Sequence, residues 1–259
     1  MRYVYIVPIL PISQSHSVLS LSSTLYSTPH ILHPRLFPPD TQRKEEPKPT
    51  TAKELQELTA SEPLTLPEEY AMQRSWRQDS DKLTFIACLP PSPSPTTITP
   101  KKDDTHSAML GDINLFLFDD DDDDDDEKTT DKHKTNASII GEIELMIALK
   151  SHHRKGHGRA SLLAFLHYIL TNTTAILAEY TRGKQAHLRY LRVKINKENV
   201  KSINLFESVG FVRTSAEANY FGEVELRLQV LGNGNVLGGL ESVKGWCGCP
   251  LVLEYREEV

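Results

Sequence analysis

The sequence predicts an α/β fold of the α+β kind: a mixed central sheet flanked by helices. Three observations carry that reading. The stretches "AMLGDINLFLF" and "SIIGEIELMIAL" alternate residue by residue, as strands with two different faces do. A long apolar run, "ASLLAFLHYIL", follows a glycine turn at helix-like length and precedes another strand-like stretch. Two further strand-like stretches then close the pattern. The order is strand, loop, strand, helix, strand, helix, strand, strand, with helices packed on a partly antiparallel sheet.

Taken in order, "MRYVYIVPIL" reads as a short strand, because Pro8 and Pro11 interrupt it and no clear cleavage site follows. Residues 11–50 are rich in Ser, Pro, Thr and His, and "FPPDTQRKEEPKPTT" has too few apolar residues to order itself. Residues 1–50 are therefore a short strand plus a disordered segment, and residues 51–259 form one domain. "TAKELQELTASE" is the first helix, with Thr51 as its cap. "LPEEYAMQRSWRQDSDK" is a second, with Pro67 in the first turn and Glu68 and Glu69 near its positive end. "LTFIACL" is a strand, closed by the Pro-rich loop near residues 90–105.

In the next strand Ile113, Leu115 and Leu117 share one face. The loop near residues 119–136 holds the acidic run and is expected to be solvated and disordered. In the strand after it, Gly141, Ile143, Leu145 and Ile147 face one way, and Glu142, Glu144 and Met146 the other. After the long helix, "LRYLRVKIN" is a strand. "NVKSINLFESVG" is a short helix, with Asn199 as cap and Gly210 as stop. "FVRTSAE" and "YFGEVELRLQV" form a closing antiparallel pair, and "PLVLEY" lies as a last strand in a Gly-rich tail.

The bulk numbers exclude some functions. The net charge is −6, yet Asp119–Glu127 alone contributes −9 and leaves +3 elsewhere, so the acidic balance describes a loop. Three cysteines cannot build a disulfide framework and fit a reducing compartment, which makes the cytoplasm the expected location. No apolar run approaches the ~18 residues of a membrane span. Neither a membrane nor a nucleic-acid partner is expected.

The turn "HHRKGHGRA" poses the functional question. A helix start leaves about four amide groups without intrahelical partners and carries partial positive charge. Gly156 and Gly158 let an anion approach that backbone, and Arg154, Lys155 and Arg159 add full charges. A pyrophosphate fits several converging donors better than a carboxylate does. As a dinucleotide fingerprint the stretch reads G-x-G-x-x-S and lacks the third glycine. As a nucleotide P-loop it lacks the glycine spacing and the Lys-Ser/Thr pair. As a zinc site it offers His153 and His157 four residues apart without a third ligand, so no metal is expected. The plain alternative is a basic helix start facing solvent.

A further reading rests on resemblance. "GEIELMIA", "HRKGHG", the long helix, "LRVKIN" and "NVKSINLFESVGF" resemble the GCN5-related N-acetyltransferase (GNAT) family. Its turn has the form Q/R-x-x-G-x-G/A. Its later motif is matched at every spacing by Asn199, Ser202, Leu205, Phe206, Gly210 and Phe211. Within the family, "LTASEPLTLPEEYAMQRSWRQDSDKLTFI", "MLGDINLFL" and "FGEVELRL" resemble the N-acetyltransferase 9-like branch, over roughly residues 53–230.

The resemblance implies a GNAT fold with acetyl-CoA in a cleft between central strands, and transfer of an acetyl group to a protein amine. It points to an α-amino group, with tubulin as candidate partner. It implies that the backbone of Leu145, Met146 and Ile147 pairs with the pantetheine arm. The amides of Arg154, Lys155, Gly156, His157, Gly158, Arg159 and Ala160 would hold the pyrophosphate, with His153 where the family has Gln or Arg. Asn199, Ser202 and Phe206 belong to the cofactor side, although Asn199 as a plain helix cap is the equal alternative. Glu142, fourteen residues before Gly156, takes the place of the catalytic glutamate of the histone-modifying members, with Glu142 or Glu144 as a solvated strand residue the equal alternative. The tyrosine that many members use as general acid falls at Phe206; Tyr190 and Tyr220 are candidate substitutes, although a half-buried strand aromatic is the stronger reading of each. The rival reading is a non-catalytic acetyl-CoA-binding module, motivated by Phe206, His153 and the unusual amino-terminal segment.

Overall fold

The computed structural model describes residues 5–8, 65, 67–68, 71–72, 75, 79–89, 97–98, 105, 107–120, 137–230 and 254–255. The first predicted helix and most of the Ser/Pro-rich segment and the two long loops lie outside these residues. Of the second predicted helix, positions 67, 68, 71, 72 and 75 are helical. The amide and hydroxyl of Thr65 both donate to Glu68 Oε2 at 2.7 Å, which fixes its start.

Nine strands are described: β1 (Tyr5–Pro8), β2 (Lys82–Cys88), β3 (Thr97–Ile98), β4 (Met109–Asp119), β5 (Ala137–Ile147), β6 (Ala186–Asn196), β7 (Val212–Arg213), β8 (Glu223–Gln229) and β9 (Glu254–Tyr255). The helices are α1 (His157–Tyr180) and α2 (Val200–Glu207). Seven strands make one sheet in the order β1-β2-β4-β5-β6-β8-β7. Only β5 and β6 run parallel, and the other neighbours in that sheet are antiparallel. The predicted mixed sheet is thus present. A two-residue parallel pair, β3 with β9, lies apart from it within the predicted Pro-rich loop and last strand.

The alternation read from sequence decides what is buried. Leu83, Phe85, Ile113, Leu115, Ile139, Ile143, Leu191 and Val193 turn to the face that packs under α1 and α2. From above, α1 adds Leu162, Phe165, Leu166 and Ile169, and α2 adds Ile203 and Phe206. Burying a side chain of this size contributes about 1.5–3 kcal/mol each. This explains why α1, with 24 residues and a best-window mean hydropathy of 1.4, is long and apolar enough to cross a membrane, contrary to the sequence expectation. Its apolar residues cover the sheet instead.

The acidic loop begins later than predicted. Asp119 is the last residue of β4 and accepts a hydrogen bond from the Tyr180 hydroxyl. Asp120 is buried, with Ser138 and Arg189 both donating to its Oδ2. A buried carboxylate stripped of such a partner costs about 3–5 kcal/mol, so Asp120 anchors the sheet rather than belonging to a solvated run, while the exposed Asp119 ends β4.

Candidate active site

The parallel pair β5–β6 holds register only as far as Glu142 opposite Arg192. Beyond that point β5 continues to Ile147 beside β4, and β6 continues to Asn196 beside β8. The sheet therefore forks between β5 and β6. Which main-chain groups face the fork follows from the ladder. The Asp120 amide donates to Ser138 O at 3.0 Å, and the Ala148 amide donates to Leu110 O at 2.8 Å. Antiparallel pairing alternates, so the even residues of β5 spend their backbone groups on β4. The odd ones turn theirs towards β6: the Ile143 amide serves the last bridge, at Glu142 and Arg192, and the Ile143 carbonyl and the groups of Leu145 and Ile147 turn into the fork. The Ala137 amide, which donates across to Gln185 O, agrees with this parity. Met146 lies opposite Asp112 and has its backbone engaged with β4, unlike the two neighbours it was grouped with in the sequence.

The fork leads to the glycine turn. After a single 3-10 turn at Lys150–His152, His153 Nε2–H donates to Ile147 O at 2.6 Å and ties the turn to the end of β5. Arg154 (φ 58°) and Gly156 (φ 85°) are both left-handed, which reverses the chain within three residues. Gly156 is the N-cap of α1, no side chain caps that end, and an added Cβ there would meet nothing within 4 Å. The first-turn amides of His157, Gly158 and Arg159 have no side-chain cap and lie beside a Gly156 with open space at its Cβ position, the arrangement an anion needs. At Gly158 an added Cβ would lie 3.5–3.8 Å from Leu205, Leu145 and Ile147, ordinary contact, so this position accepts alanine as well as glycine.

Arg154 and Lys155 are exposed beside the turn. Arg159 instead sends its guanidinium to the Ser208 carbonyl and hydroxyl, pinning α1 to the end of α2. Ala160 begins the intrahelical ladder, donating to Gly156 O. The rings of His152 and His157 stand 5.6 Å apart, and burial, assisted by Lys155 and His153, holds His152 below the usual histidine range. Among the described residues no group of three metal-ligating side chains forms.

The later motif is mainly architectural. Asn199 is the N-cap of α2, its Oδ1 accepting from the Ser202 amide at 3.2 Å. Phe206 is 4% exposed and packs edge-on against Phe211 with centroids 5.2 Å apart. It is a core residue, which corrects its grouping with the cofactor contacts. Tyr190 is buried with Arg227 stacked 4.2 Å from its ring centre, and Tyr220 stands exposed on the β7–β8 connection.

The face of the sheet away from α1 carries the carboxylates. Glu142 Oε2 accepts from Arg192 Nε at 2.7 Å and lies 3.2 Å from Lys194 Nζ, at the apex of the fork. The oxygen that would collect a proton is already held by two cations. This fits a latch closing the two strands better than the general base expected from its spacing. Two residues on, burial and the charge of Glu142 push Glu144 up, opposed by Lys82. Burial also raises Asp112 to about 6, opposed by its hydrogen bond from Asn114 and helped by Glu144. Neither Asp112, Arg192 nor Lys194 was singled out from the sequence. The signal for Asp112 was its place in "GDINLFLF", a carboxylate on the polar phase of a strand.

Comparison with known proteins agrees with this geometry. The acetyltransferase (GNAT) domain family matches residues 36–212. The chain is 43% identical over 187 residues to an N-acetyltransferase 9-like protein of Schizosaccharomyces pombe, covering 68% of this chain and 82% of that protein. It is 39% identical over 179 residues to the alpha/beta-tubulin-N-acetyltransferase 9 of Homo sapiens, covering 69% and 70%. The same figure holds over 174 residues for the Drosophila melanogaster protein of that name, covering 66% and 70%.

Proposed function

Since the chain belongs to the GNAT acetyltransferase family, in its N-acetyltransferase 9-like branch, we propose that it transfers an acetyl group from acetyl-CoA to the α-amino group of a protein. That it is an N-acetyltransferase follows from the family. The cosubstrate's seat and the kind of amine are the proposal. The observation that carries it is the β5–β6 fork, whose open edge runs into an uncapped helix start. Acetyl-CoA supplies an activated acyl group as a thioester. The cleft-facing Ile143 carbonyl, Leu145 backbone and Ile147 amide suit an extended amide-bearing arm, and the amides of His157, Gly158 and Arg159 suit its pyrophosphate. Arg154 and Lys155 supply charge at the mouth. Relatives named for alpha/beta-tubulin support tubulin as the acceptor, and the sparse cysteines support a cytoplasmic setting.

The preference for an α-amine follows from proton energetics. A lysine with pKa near ~10.4 is about one part in a thousand neutral at pH 7.4, whereas an α-amine near ~7.7–8.0 is roughly a fifth to a third neutral. Deprotonating lysine asks about three kcal/mol more of the protein. With Glu142 held by two cations and Phe206 in the core, the site suits the easier amine. Matched peptides test this, one with a free amino terminus and one blocked but carrying an internal lysine. The free terminus is expected to be acetylated at least about tenfold faster at pH 7.4, followed by mass shift. Faster transfer to the blocked lysine peptide contradicts the preference.

A further inference from the structure

Helices α1 and α2 and the main core occupy one face of the sheet, so an acceptor amine reaches the fork from the other. On that face a polar row crosses three strands: Thr84 opposite Asn114, and Asn114 opposite Glu144. Glu144 stands between Ile143 and Leu145, whose backbone groups line the fork, and its side chain reaches solvent. Asp112, diagonal to Glu144 across β4 and β5, accepts from Asn114 Nδ2 at 2.7 Å. Thr84 is 4% exposed, and its hydroxyl has no hydrogen-bond partner. A buried hydroxyl left in that state, one strand beyond the Asn114 that donates to Asp112, points to a polar group that completes the row.

Resting on the acetyltransferase reading above, we propose that the carboxylates of Glu144 and Asp112, and not Glu142, receive the proton of the acceptor amine. The ammonium enters over the exposed Glu144 and gives one proton to the pair. The freed nitrogen lone pair bonds to the thioester carbonyl carbon as the carbon–sulfur bond breaks. The nitrogen's surplus proton passes to the departing thiolate. An amide, a thiol and one proton on the pair remain, and solvent removes that proton through Glu144. Burial raises both carboxyls, and the charge of Glu144 adds to the rise at Asp112. With Asp112 raised to about 6, the pair accepts a proton at neutral pH and releases it again. Among the described residues, the other titratable or charged groups on this face are Lys82 and Cys88 from β2, Asp120 just beyond β4, Glu142 from β5, Tyr190, Arg192 and Lys194 from β6, and Glu223, Glu225 and Arg227 from β8. Arg192 and Lys194 are already spent on Glu142.

The test is the pH profile of kcat/KM with an α-amino peptide, alongside calorimetric acetyl-CoA affinity. In the unaltered chain the ammonium is the form that enters, so log kcat/KM should be level between about pH 6 and the amine's pKa and fall with slope one below about pH 6, where Asp112 protonates. Glu144→Gln and Asp112→Asn should each lose about a hundredfold or more in kcat/KM at pH 7. They should also lose the level region, their rate following the neutral amine with slope one from the amine's pKa downward, and keep acetyl-CoA affinity within about threefold. Glu142→Gln should keep the level region and the fall below about pH 6. Should Asp112→Asn not fold, Glu144→Gln, altered at a solvent-reaching strand position, decides alone. Retention of the level region above about pH 6 and of the rate in Glu144→Gln overturns the proposal and leaves the acetyltransferase reading standing. Absence of acetyl-CoA binding by the unaltered chain overturns both.

Discussion

Gly156→Glu is expected to abolish measurable acetyl-CoA binding, a loss of at least about a hundredfold, while the chain stays folded. The glycine sits at φ 85° at the N-cap of α1, with open space where a Cβ would go. A glutamate there clashes with nothing, but its carboxylate occupies the open space beside the first-turn amides. It neutralises the positive end of the helix and repels the pyrophosphate. A loss of a hundredfold corresponds to about 2.8 kcal/mol, modest for excluding a multiply charged ligand. The fold bears a smaller cost, about 1–2 kcal/mol for a left-handed non-glycine residue. Gly156→Asn is the companion, because asparagine tolerates that backbone and adds no charge. It should bind acetyl-CoA far better than the glutamate variant. Equal losses in both would show that the backbone conformation matters and the anion site does not.

Gly111→Ala is expected to be the most destabilising single-methyl change in the sheet, costing about 3–4 kcal/mol. The ideal Cβ would lie 1.8 Å from Met146 O and 2.9 Å from Ile147 Cα, both backbone atoms of the neighbouring strand. No rotamer change relieves such a contact, so β4 and β5 must separate. The position is crowded because the β2–β4 register shifts beside it, between Ala87 and Cys88. For a domain of this size the cost corresponds to a fall in Tm of roughly 10 °C. Separation of the strands also moves Leu145 and Ile147, so acetyl-CoA affinity should fall with stability. Gly141→Ala is the contrast. There the built Cβ meets side chains and not backbone, Leu191 and Leu115 at 2.7 and 2.8 Å and Leu188 at 3.7 Å, so the strands need not separate and the cost should be smaller. A Tm for Gly111→Ala within a degree or two of the unaltered chain would contradict the geometry.

The strands of the site were legible because each has one apolar phase. The alternation in "SIIGEIELMIAL" sets Ile143, Leu145 and Ile147 on one face, and the core lies there. The turn was legible because two glycines and uncapped amides leave few other uses for "HRKGHG". What remained hidden depends on pairing. Met146 could not be separated from its neighbours, because the direction of its backbone groups follows from the β4–β5 register. The clamp of Arg192 and Lys194 on Glu142 arises from a parallel pairing across a 24-residue helix, which no local pattern encodes. Phe206 was read through its motif position, whereas its burial against Phe211 is a tertiary fact. Asp119 and Asp120 look like the rest of their run, and only the partners Tyr180, Ser138 and Arg189 distinguish them.

Amide hydrogen exchange, read residue by residue with and without acetyl-CoA, tests the seat in the fork most directly. The amides of Leu145 and Ile147 should slow markedly on addition of the cosubstrate, together with those of His157, Gly158 and Arg159. The Met146 amide, already engaged with β4, should change little, and that contrast between adjacent residues is specific to pairing at the open edge. Uniform slowing of Leu145, Met146 and Ile147, or no change at any of them while acetyl-CoA is bound, would contradict it.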